Sequence, residues 1–253
     1  MTEIEKRIAE LSGVPSAKVR VYDTIDSTST EARRRAESGG DTPALILAEH
    51  QSAGRGRMGR GFYSPAHTGL YMTALFEATE SLVDTVFLTT AASVSVAKAI
   101  DKLTGTRTEI KWVNDIYLGG KKICGILCES YAAFSKRYVA VGVGVNLSTE
   151  DFPEELVGIA DSLRPDRDIK YELAAEIFGG LYRAYLYGDK REMIEYYKER
   201  SFVLGKRVVF CENGVSACGV ACDVDELGRL SIRLDDGNMK LLSSGEISLR
   251  TRE

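Results

Sequence analysis

The sequence predicts an α+β fold in which a large mixed sheet with helices is followed by a small β module. Apolar strand patterns alternate with helical patterns over the first two hundred or so residues, and short alternating runs crowd the last fifty or so. Closely spaced short strands are typical of a small barrel. Because the pattern changes near Leu204, we expect one domain over residues 1–204 and a second over residues 205–253.

The individual elements follow from hydrophobic periodicity and from turn residues. Predicted strands are Val19–Ile25, Ala44–Ala48, Gly69–Phe76, Glu109–Leu118, Lys122–Glu129 and Tyr138–Val145. Predicted helices are Glu31–Ser38, Ser81–Leu103, Asp168–Gly188 and Lys190–Phe202. Ser27 or Thr28 with Glu31 resembles a capping box for the first helix. Gly119-Gly120 predicts a hairpin turn.

The tail is predicted to consist of five short strands separated by turns. The strands are Arg207–Cys211, Val215–Cys222, Leu230–Leu234, Met239–Leu242 and Ile247–Leu249. Turn signals lie at Glu212-Asn213-Gly214 and at Asp235-Asp236-Gly237.

Composition excludes several classes of protein. The 253 residues carry a formal net charge of −4, which provides no general attraction to a polyanion, so non-specific nucleic-acid binding is not expected. The first residues lack the apolar core of a signal peptide, and no apolar run reaches the length of a membrane span. Five cysteines, an odd number in a chain of this size, do not form a disulfide framework and indicate the cytosol.

Cys218-Gly219-Val220-Ala221-Cys222 could suggest a zinc site. The two histidines, His50 and His67, are far from it in sequence, and the alternation fits a strand better. Neither histidine lies beside a serine or cysteine in a nucleophile context, so we expect chemistry by positioning and electrostatics without a covalent enzyme intermediate.

The segment from Gly54 to Gly61 reads Gly-Arg-Gly-Arg-Met-Gly-Arg-Gly and contains no acid. Glycines allow the backbone to approach a ligand closely, and arginines are suited to phosphate or carboxylate. The spacing matches neither the P-loop nor the dinucleotide fingerprint. Composition alone does not separate an anion-binding loop from a solvated basic loop, but the position directly after a buried strand favours a site.

Three further segments contain candidate site residues: two have polar or charged side chains, and one has glycines that would let another group approach the backbone. Lys111-Trp112-Val113-Asn114-Asp115 places an Asn-Asp pair in an apolar stretch, where a buried charge needs a partner or ligand. A salt-bridged strand end is the alternative, and Trp112 itself is expected in the core. Lys122 opens the next apolar strand, and Gly142-Val143-Gly144-Val145-Asn146 alternates glycines, so another backbone or a ligand approaches there.

Together these segments resemble biotin protein ligase, biotin–[acetyl-CoA-carboxylase] ligase. The resemblance runs from about Tyr22 to Arg250 and rests on motifs that occur in the family's order: Asp26-Ser27-Thr28, Gln51 with Gly54–Arg60, Lys111–Asp115, Lys122–Leu127, Gly142–Asn146 and Gly245–Arg250. The arginine loop combined with the Lys-Trp-x-Asn-Asp strand is highly specific. The resemblance implies a class II synthetase-like catalytic domain followed by an SH3-like β-barrel.

The resemblance implies a two-step reaction. Biotin and MgATP form biotinyl-5′-AMP and pyrophosphate, and the biotinyl group then passes to a lysine of a biotin carboxyl carrier domain. By motif, the implied catalytic residues are Arg57, Lys122, Asp115 and Lys111. The implied binding residues are Ser27, Thr28, Ser29, Gln51, Gly54, Arg55, Gly56, Arg57, Arg60, Phe62, Asn114, Asp115, Lys122, Gly125 and Asn146, with no protein metal site.

Individual roles are implied in the same way. Ser27, Thr28 and Gln51 would hold the ureido end of biotin. Arg55 and Arg57 would hold the carboxylate and then the adenylate phosphate, and Lys122 would contact the same oxygens. Asn114 and Asp115 would line the adenylate site, with Asp115 helping to deprotonate the incoming lysine. A loop that closes over the product would keep water out, so we expect Gly54–Gly61 to be mobile in the free enzyme and ordered with adenylate.

Some positions depart from the family pattern. Val113 stands where the family usually has proline, and Phe62 where it often has tryptophan. About twenty residues precede the first core strand, too few for the DNA-binding domain of some members, so we expect a form that catalyses without repressing. A homodimer is possible, without nucleic acid or membrane. Lipoate–protein ligase and a non-catalytic biotin-sensing regulator remain the alternatives, and Arg250 could help to close the ATP site.

Overall fold

The computed structural model describes residues 1–78, 85–212, 215–243 and 246–249. The helices are α1 (Glu3–Leu11), α2 (Thr28–Glu37), α3 (Thr85–Thr104), α4 (Lys170–Tyr187) and α5 (Lys190–Arg200). The first seven strands are β1 (Lys18–Ile25), β2 (Ala44–Gln51), β3 (Gly69–Glu77), β4 (Glu109–Lys111), β5 (Asp115–Leu118), β6 (Lys121–Ala133) and β7 (Lys136–Asn146). The remaining strands are β8 (Arg207–Glu212), β9 (Val215–Val224), β10 (Leu230–Leu234), β11 (Met239–Leu242) and β12 (Glu246–Leu249).

The first seven strands form one mixed sheet in the order β1-β2-β3-β7-β6-β5-β4. β1 pairs with β2 in parallel, and the other pairs are antiparallel. The apolar run of β2 shows why the sheet is covered on both faces. Leu45 and Leu47 belong to the large core that includes α1, α3 and α4, whereas Ala44 and Ile46 pack with Ala32 of α2. A strand buried on both faces is expected to be apolar throughout.

The last five strands form an antiparallel sheet in the order β11-β10-β9-β8-β12. The predicted α+β architecture with a small C-terminal β module is therefore confirmed. The boundary at Leu204 stays a prediction, although β8 starts three residues after it. The predicted Asn213-Gly214 turn, the start of the helix at Ser81, Gly245 and Arg250 lie outside the described residues. None of the described helices is long and apolar enough to cross a membrane.

The predicted single strand Glu109–Leu118 is wrong. The chain forms two short antiparallel strands instead, with Lys111 opposite Asp115, and Trp112-Val113-Asn114 makes the turn between them. The Trp112–Val113 peptide bond is cis. The turn contains no glycine, so periodicity gave no sign of it. Asp115 begins the second of these strands, and its largely buried carboxylate is paired with Lys122.

The predicted N-terminus of the first helix is also wrong. α2 begins at Thr28, three residues before the predicted Glu31, and Ser27 is its N-cap without a side-chain capping bond. The Glu31 side chain instead accepts hydrogen bonds from Tyr22 and Arg34. A capping box does occur in α1, which the sequence analysis did not predict. There the Thr2 hydroxyl accepts from the Glu5 N–H, and the Glu5 carboxylate accepts from the Thr2 N–H.

Candidate active site

A cavity of about 580 Å³ lies between the seven-stranded main sheet, the C-terminal sheet and the segment Gly54–Gly61, which we call the glycine–arginine loop. Most of the predicted site residues line it: Thr28, Ser29, Gln51, Arg55, Gly56, Arg57, Arg60, Phe62, Lys111, Asn114, Asp115, Lys122 and Gly125. Five of these side chains are basic, and Asp115 is the one acid among the described residues that line the cavity. The wall therefore carries an excess of positive charge, which favours binding of an anion.

Three predicted site residues are not in the cavity wall. The Ser27 side chain is buried at the N-terminus of α2. Gly54 packs against the Phe62 carbonyl and the Ser64 hydroxyl, where any side chain would overlap. Asn146 is buried at the end of β7 and donates to the Asp161 carbonyl, 3.1 Å away. These residues stand behind the wall and shape it.

One end of the cavity is built on a relay of hydrogen bonds. The Thr73 hydroxyl donates to the Thr28 hydroxyl (2.9 Å), which donates in turn to Gln51 Oε1 (3.1 Å). The Thr28 N–H donates to the same oxygen at 2.8 Å, and Gln51 Nε2 donates to the Ser64 hydroxyl at 2.8 Å. Because Gln51 ends β2 and Ser64 follows the loop, the relay fixes both ends of the segment between them. Such pre-positioned polar groups can orient a neutral polar ligand group.

The floor of the cavity is a row of glycines on β6 and β7. A side chain on Gly144 or Gly125 would meet the Phe62 ring, and one on Gly142 would meet the Ser29 hydroxyl. The alternating glycines predicted to allow a close approach therefore admit an aromatic side chain of the loop. Phe62 also contacts Tyr71 edge to face, with ring centroids 6.4 Å apart. The result is a flat apolar slot beside the polar relay.

The charged end of the cavity lies around the turn between β4 and β5. Lys122 Nζ is 2.7 Å from Asp115 Oδ1, and both side chains are less than one-third exposed. Arg57 donates to Asn114 Oδ1 at 2.9 Å, and Asn114 Nδ2 donates to the Ile126 carbonyl at 2.9 Å. The loop and the turn are thus held together by an arginine–asparagine contact. Burial and then the Asp115 carboxylate raise the pKa of nearby Tyr117 to about 12.

Cys124 and Cys128 of β6, the strand that carries Lys122, are not built as nucleophiles. Burial raises the pKa of Cys128 to about 11 and raises that of Cys124 even further. A protonated thiol is a weak nucleophile. The chemistry that the cavity can perform is electrostatic: Arg57 and Lys122 can neutralise charge that gathers between a carboxylate and a phosphate.

Several wall residues were not foreseen from the sequence. Trp112, assigned to the core, is 3% exposed and lines the cavity as well. Leu156 and Ile159 come from the segment after β7, and Lys122 N–H donates to the Ile159 carbonyl. The C-terminal sheet adds a further group: Val209, Phe210, Cys211, Ser216 and Ile247. Strand alternation placed these residues on β8, β9 and β12 but could not show which face meets the other sheet.

Residues 21–146 match the profile of the Biotin/lipoate A/B protein ligase family, and residues 203–250 match that of the Biotin protein ligase C terminal domain. The bifunctional ligase/repressor BirA of Bacillus subtilis is 30% identical over 96% of this chain and 78% of its own length. The biotin–[acetyl-CoA-carboxylase] ligase of Mycobacterium tuberculosis is 31% identical over 87% of this chain and 85% of its own. These similarities define a ligase of the biotin and lipoate class.

The fold agrees with this class in both of its sheets. The structure of biotin protein ligase from Aquifex aeolicus in complex with biotin and ATP superposes with a TM-score of 0.77 at 27% identity, covering 93% of this chain and 99% of that one. This chain belongs to the biotin protein ligase family.

Proposed function

We propose that this protein activates biotin with MgATP to biotinyl-5′-AMP and then transfers the biotinyl group to a lysine of a biotin carboxyl carrier domain. The observation that carries the proposal is the convergence of Arg57, Asn114, Asp115 and Lys122 on one cavity beside an apolar slot. The ligands bound in the Aquifex aeolicus structure, biotin and ATP, support this proposal. So does the ligase name of the Mycobacterium tuberculosis relative.

The first step brings a carboxylate oxygen against the α-phosphorus of ATP, with pyrophosphate leaving. Like charges repel at that point, and the basic side chains offset the repulsion. We assign this role to Arg57 and Lys122, with Arg60 and Lys111 adding positive potential from the wall. Asp115 holds the Lys122 ammonium in place through the 2.7 Å contact.

Mg²⁺ would enter with the nucleotide. No group of three His, Cys, Asp or Glu side chains that could hold a metal occurs in the part of the chain that the structure describes. Magnesium in nucleotide sites commonly keeps several waters and takes one or two carboxylates plus phosphate oxygens. The single wall carboxylate, Asp115, fits that mode of binding. When bound, the ion would supply further charge neutralisation on the phosphates.

Biotin would bind in the apolar slot and next to the hydrogen-bond relay. The ring end of biotin would pack against the Phe62 ring, which covers the glycines of β6 and β7, with its ureido group facing Thr28 and Gln51. In the second step the amine of the carrier lysine attacks the acyl carbon and AMP leaves. Asp115 is the wall carboxylate that can accept the proton lost by that amine.

We further propose that the enzyme acts in the cytoplasm, without nucleic acid, and pairs as a homodimer. The free state of all five cysteines supports a reducing compartment.

Transfer to a purified carrier domain tests the proposal. With biotin and MgATP, we expect the carrier to gain the mass of one biotinyl group. A carrier whose acceptor lysine is replaced by arginine should gain nothing. A carrier that stays unmodified although the enzyme binds biotin and ATP would contradict the transfer step and leave a ligand-sensing role.

A further inference from the structure

The Arg55 guanidinium forms an ion pair with a carboxylate of the main sheet. Its Nη1 and Nη2 donate to the two carboxylate oxygens of Glu129 at 3.1 Å and 2.8 Å. Two parallel bonds between a guanidinium and a carboxylate are the strongest geometry for this pair. The contact joins the glycine–arginine loop to β6, 74 residues away along the chain.

The carboxylate of Glu129 is held in position by its surroundings. Its side chain is 21% exposed, and the Tyr131 hydroxyl donates to its Oε2 at 2.9 Å. Burial, and then the Glu129 carboxylate, raise the pKa of Tyr131, so the hydroxyl keeps its proton. Arg33 of α2 lies over the Tyr131 ring, with its guanidinium carbon 5.9 Å from the ring centroid. The carboxylate thus sits on the rigid sheet, while its partner sits on the loop.

Fixing Arg55 fixes the whole loop. Arg55 pairs through its backbone with Gly61, and the Gly56 N–H donates to the Arg60 carbonyl at 2.8 Å. The Phe62 N–H donates to the Gly54 carbonyl at 2.9 Å. The loop is therefore a small hairpin whose other side carries Phe62 into the slot and whose tip region carries Arg57 to Asn114.

We propose that Glu129 is the latch of this loop: it holds Arg55 so that the hairpin stays closed over the acyl-adenylate, and it does so without lining the cavity. The inference rests on the proposed function for its ligand. In this account Arg55 is a positioning residue, because Glu129 already neutralises its charge. The anion is left to Arg57 and Lys122.

If Glu129 acts through Arg55, substitutions of the two residues should have the same effect, and the effects should not add. Glu129→Gln should speed release of biotinyl-5′-AMP from the preloaded enzyme about tenfold, the size expected for a bidentate charge pair of roughly 1.4 kcal/mol. Its rate of adenylate formation should stay within about threefold. Arg55→Met should speed release to the same extent, and the double variant should release no faster than either single variant. Asp235→Asn removes the carboxylate of a bidentate pair with Arg207 in the C-terminal sheet, away from this loop, and should change nothing.

A second readout needs no catalysis. Trypsin should cleave the loop of the free Glu129→Gln protein faster than that of the unsubstituted protein, since the variant retains every arginine. Equal cleavage and equal release rates would overturn the latch. So would an Arg55→Met protein that fails to form adenylate while Glu129→Gln behaves normally, because Arg55 would then be an anion ligand. A protein that makes no adenylate at all would refute the proposed function, and the trypsin comparison would still decide the latch.

Discussion

At the scale of single residues, the site depends on where a few charges meet. Lys122 and Asp115 are seven residues apart in sequence and form an ion pair because the Gly119-Gly120 hairpin brings β5 and β6 together. The sequence predicted this hairpin and both residues. It also predicted Arg57 as an anion ligand but gave no sign of its contact with Asn114, since that contact spans 57 residues. Side-chain pairing between distant segments is set by the fold and is not written in local periodicity.

Replacing either central cation should separate catalysis from folding. We expect Arg57→Ala and Lys122→Ala each to slow adenylate formation by about 10²–10³-fold, because each removes a donor aimed at developing charge. Thermal melting should show that the fold survives. Lys121→Ala is the matched control, since the adjacent Lys121 pairs with Asp161 and does not line the cavity. If the two active-site variants lost stability alone and kept full adenylation rates, the basic wall would be a solvated surface.

At the scale of elements, a buried polar cluster ties the end of β2 to the start of α4. Glu49 accepts hydrogen bonds from Lys170 Nζ at 2.7 Å and from the Tyr171 hydroxyl at 2.9 Å. The side chains of Glu49 and Lys170 are 14% and 12% exposed. The strand and the helix were both predicted from periodicity, but their junction was not, because a single glutamate at a strand end looks like solvated charge. The cluster lies two residues before Gln51 and so supports the relay.

This cluster should make stability depend on acid. Burial alone would raise the pKa of Glu49, but the bonds from Lys170 and Tyr171 outweigh it and leave the pKa below 4.5. The resulting stabilisation is present above pH 4.5 and is lost as the pH falls through the lower folded-state pKa. Glu49→Gln should therefore lower the free energy of unfolding by about 2 kcal/mol at pH 7. In urea titrations the difference should shrink as the pH falls below 4.5, and a difference independent of pH would contradict this assignment.

At the scale of the whole molecule, the C-terminal sheet completes the cavity. Trp112 Nε1 donates to the Gly228 carbonyl at 2.9 Å, and Lys198 pairs with Asp223 at 2.6 Å. The sequence predicted both sheets, and the resemblance to biotin protein ligase implied that the C-terminal module helps to close the ATP site. The sequence could not show that Phe210 and Ile247 line the cavity, because strand alternation does not tell which other element a face of the sheet will pack against. The residue suggested for that role, Arg250, lies outside the described part.

Trp112 provides a direct probe of this junction. It is the sole tryptophan of the chain, and it is buried at the cavity wall. Binding of biotin and a non-hydrolysable ATP analogue should change its emission, because the polarity around the indole changes when the cavity fills. The Trp112→Phe protein is the control for signal from other sources. Saturation seen by calorimetry with no change in tryptophan emission would place the ligands elsewhere.

The first reaction proposed for this cavity joins a biotin carboxylate to AMP. Exchange of labelled pyrophosphate into ATP measures that step directly, because the label returns to ATP only through reversal of adenylate formation. We expect exchange that requires biotin, that is not supported by lipoate, and that Lys122→Ala nearly abolishes. Exchange supported by lipoate instead would contradict the biotin assignment. No exchange with either acid would show that the protein does not activate them.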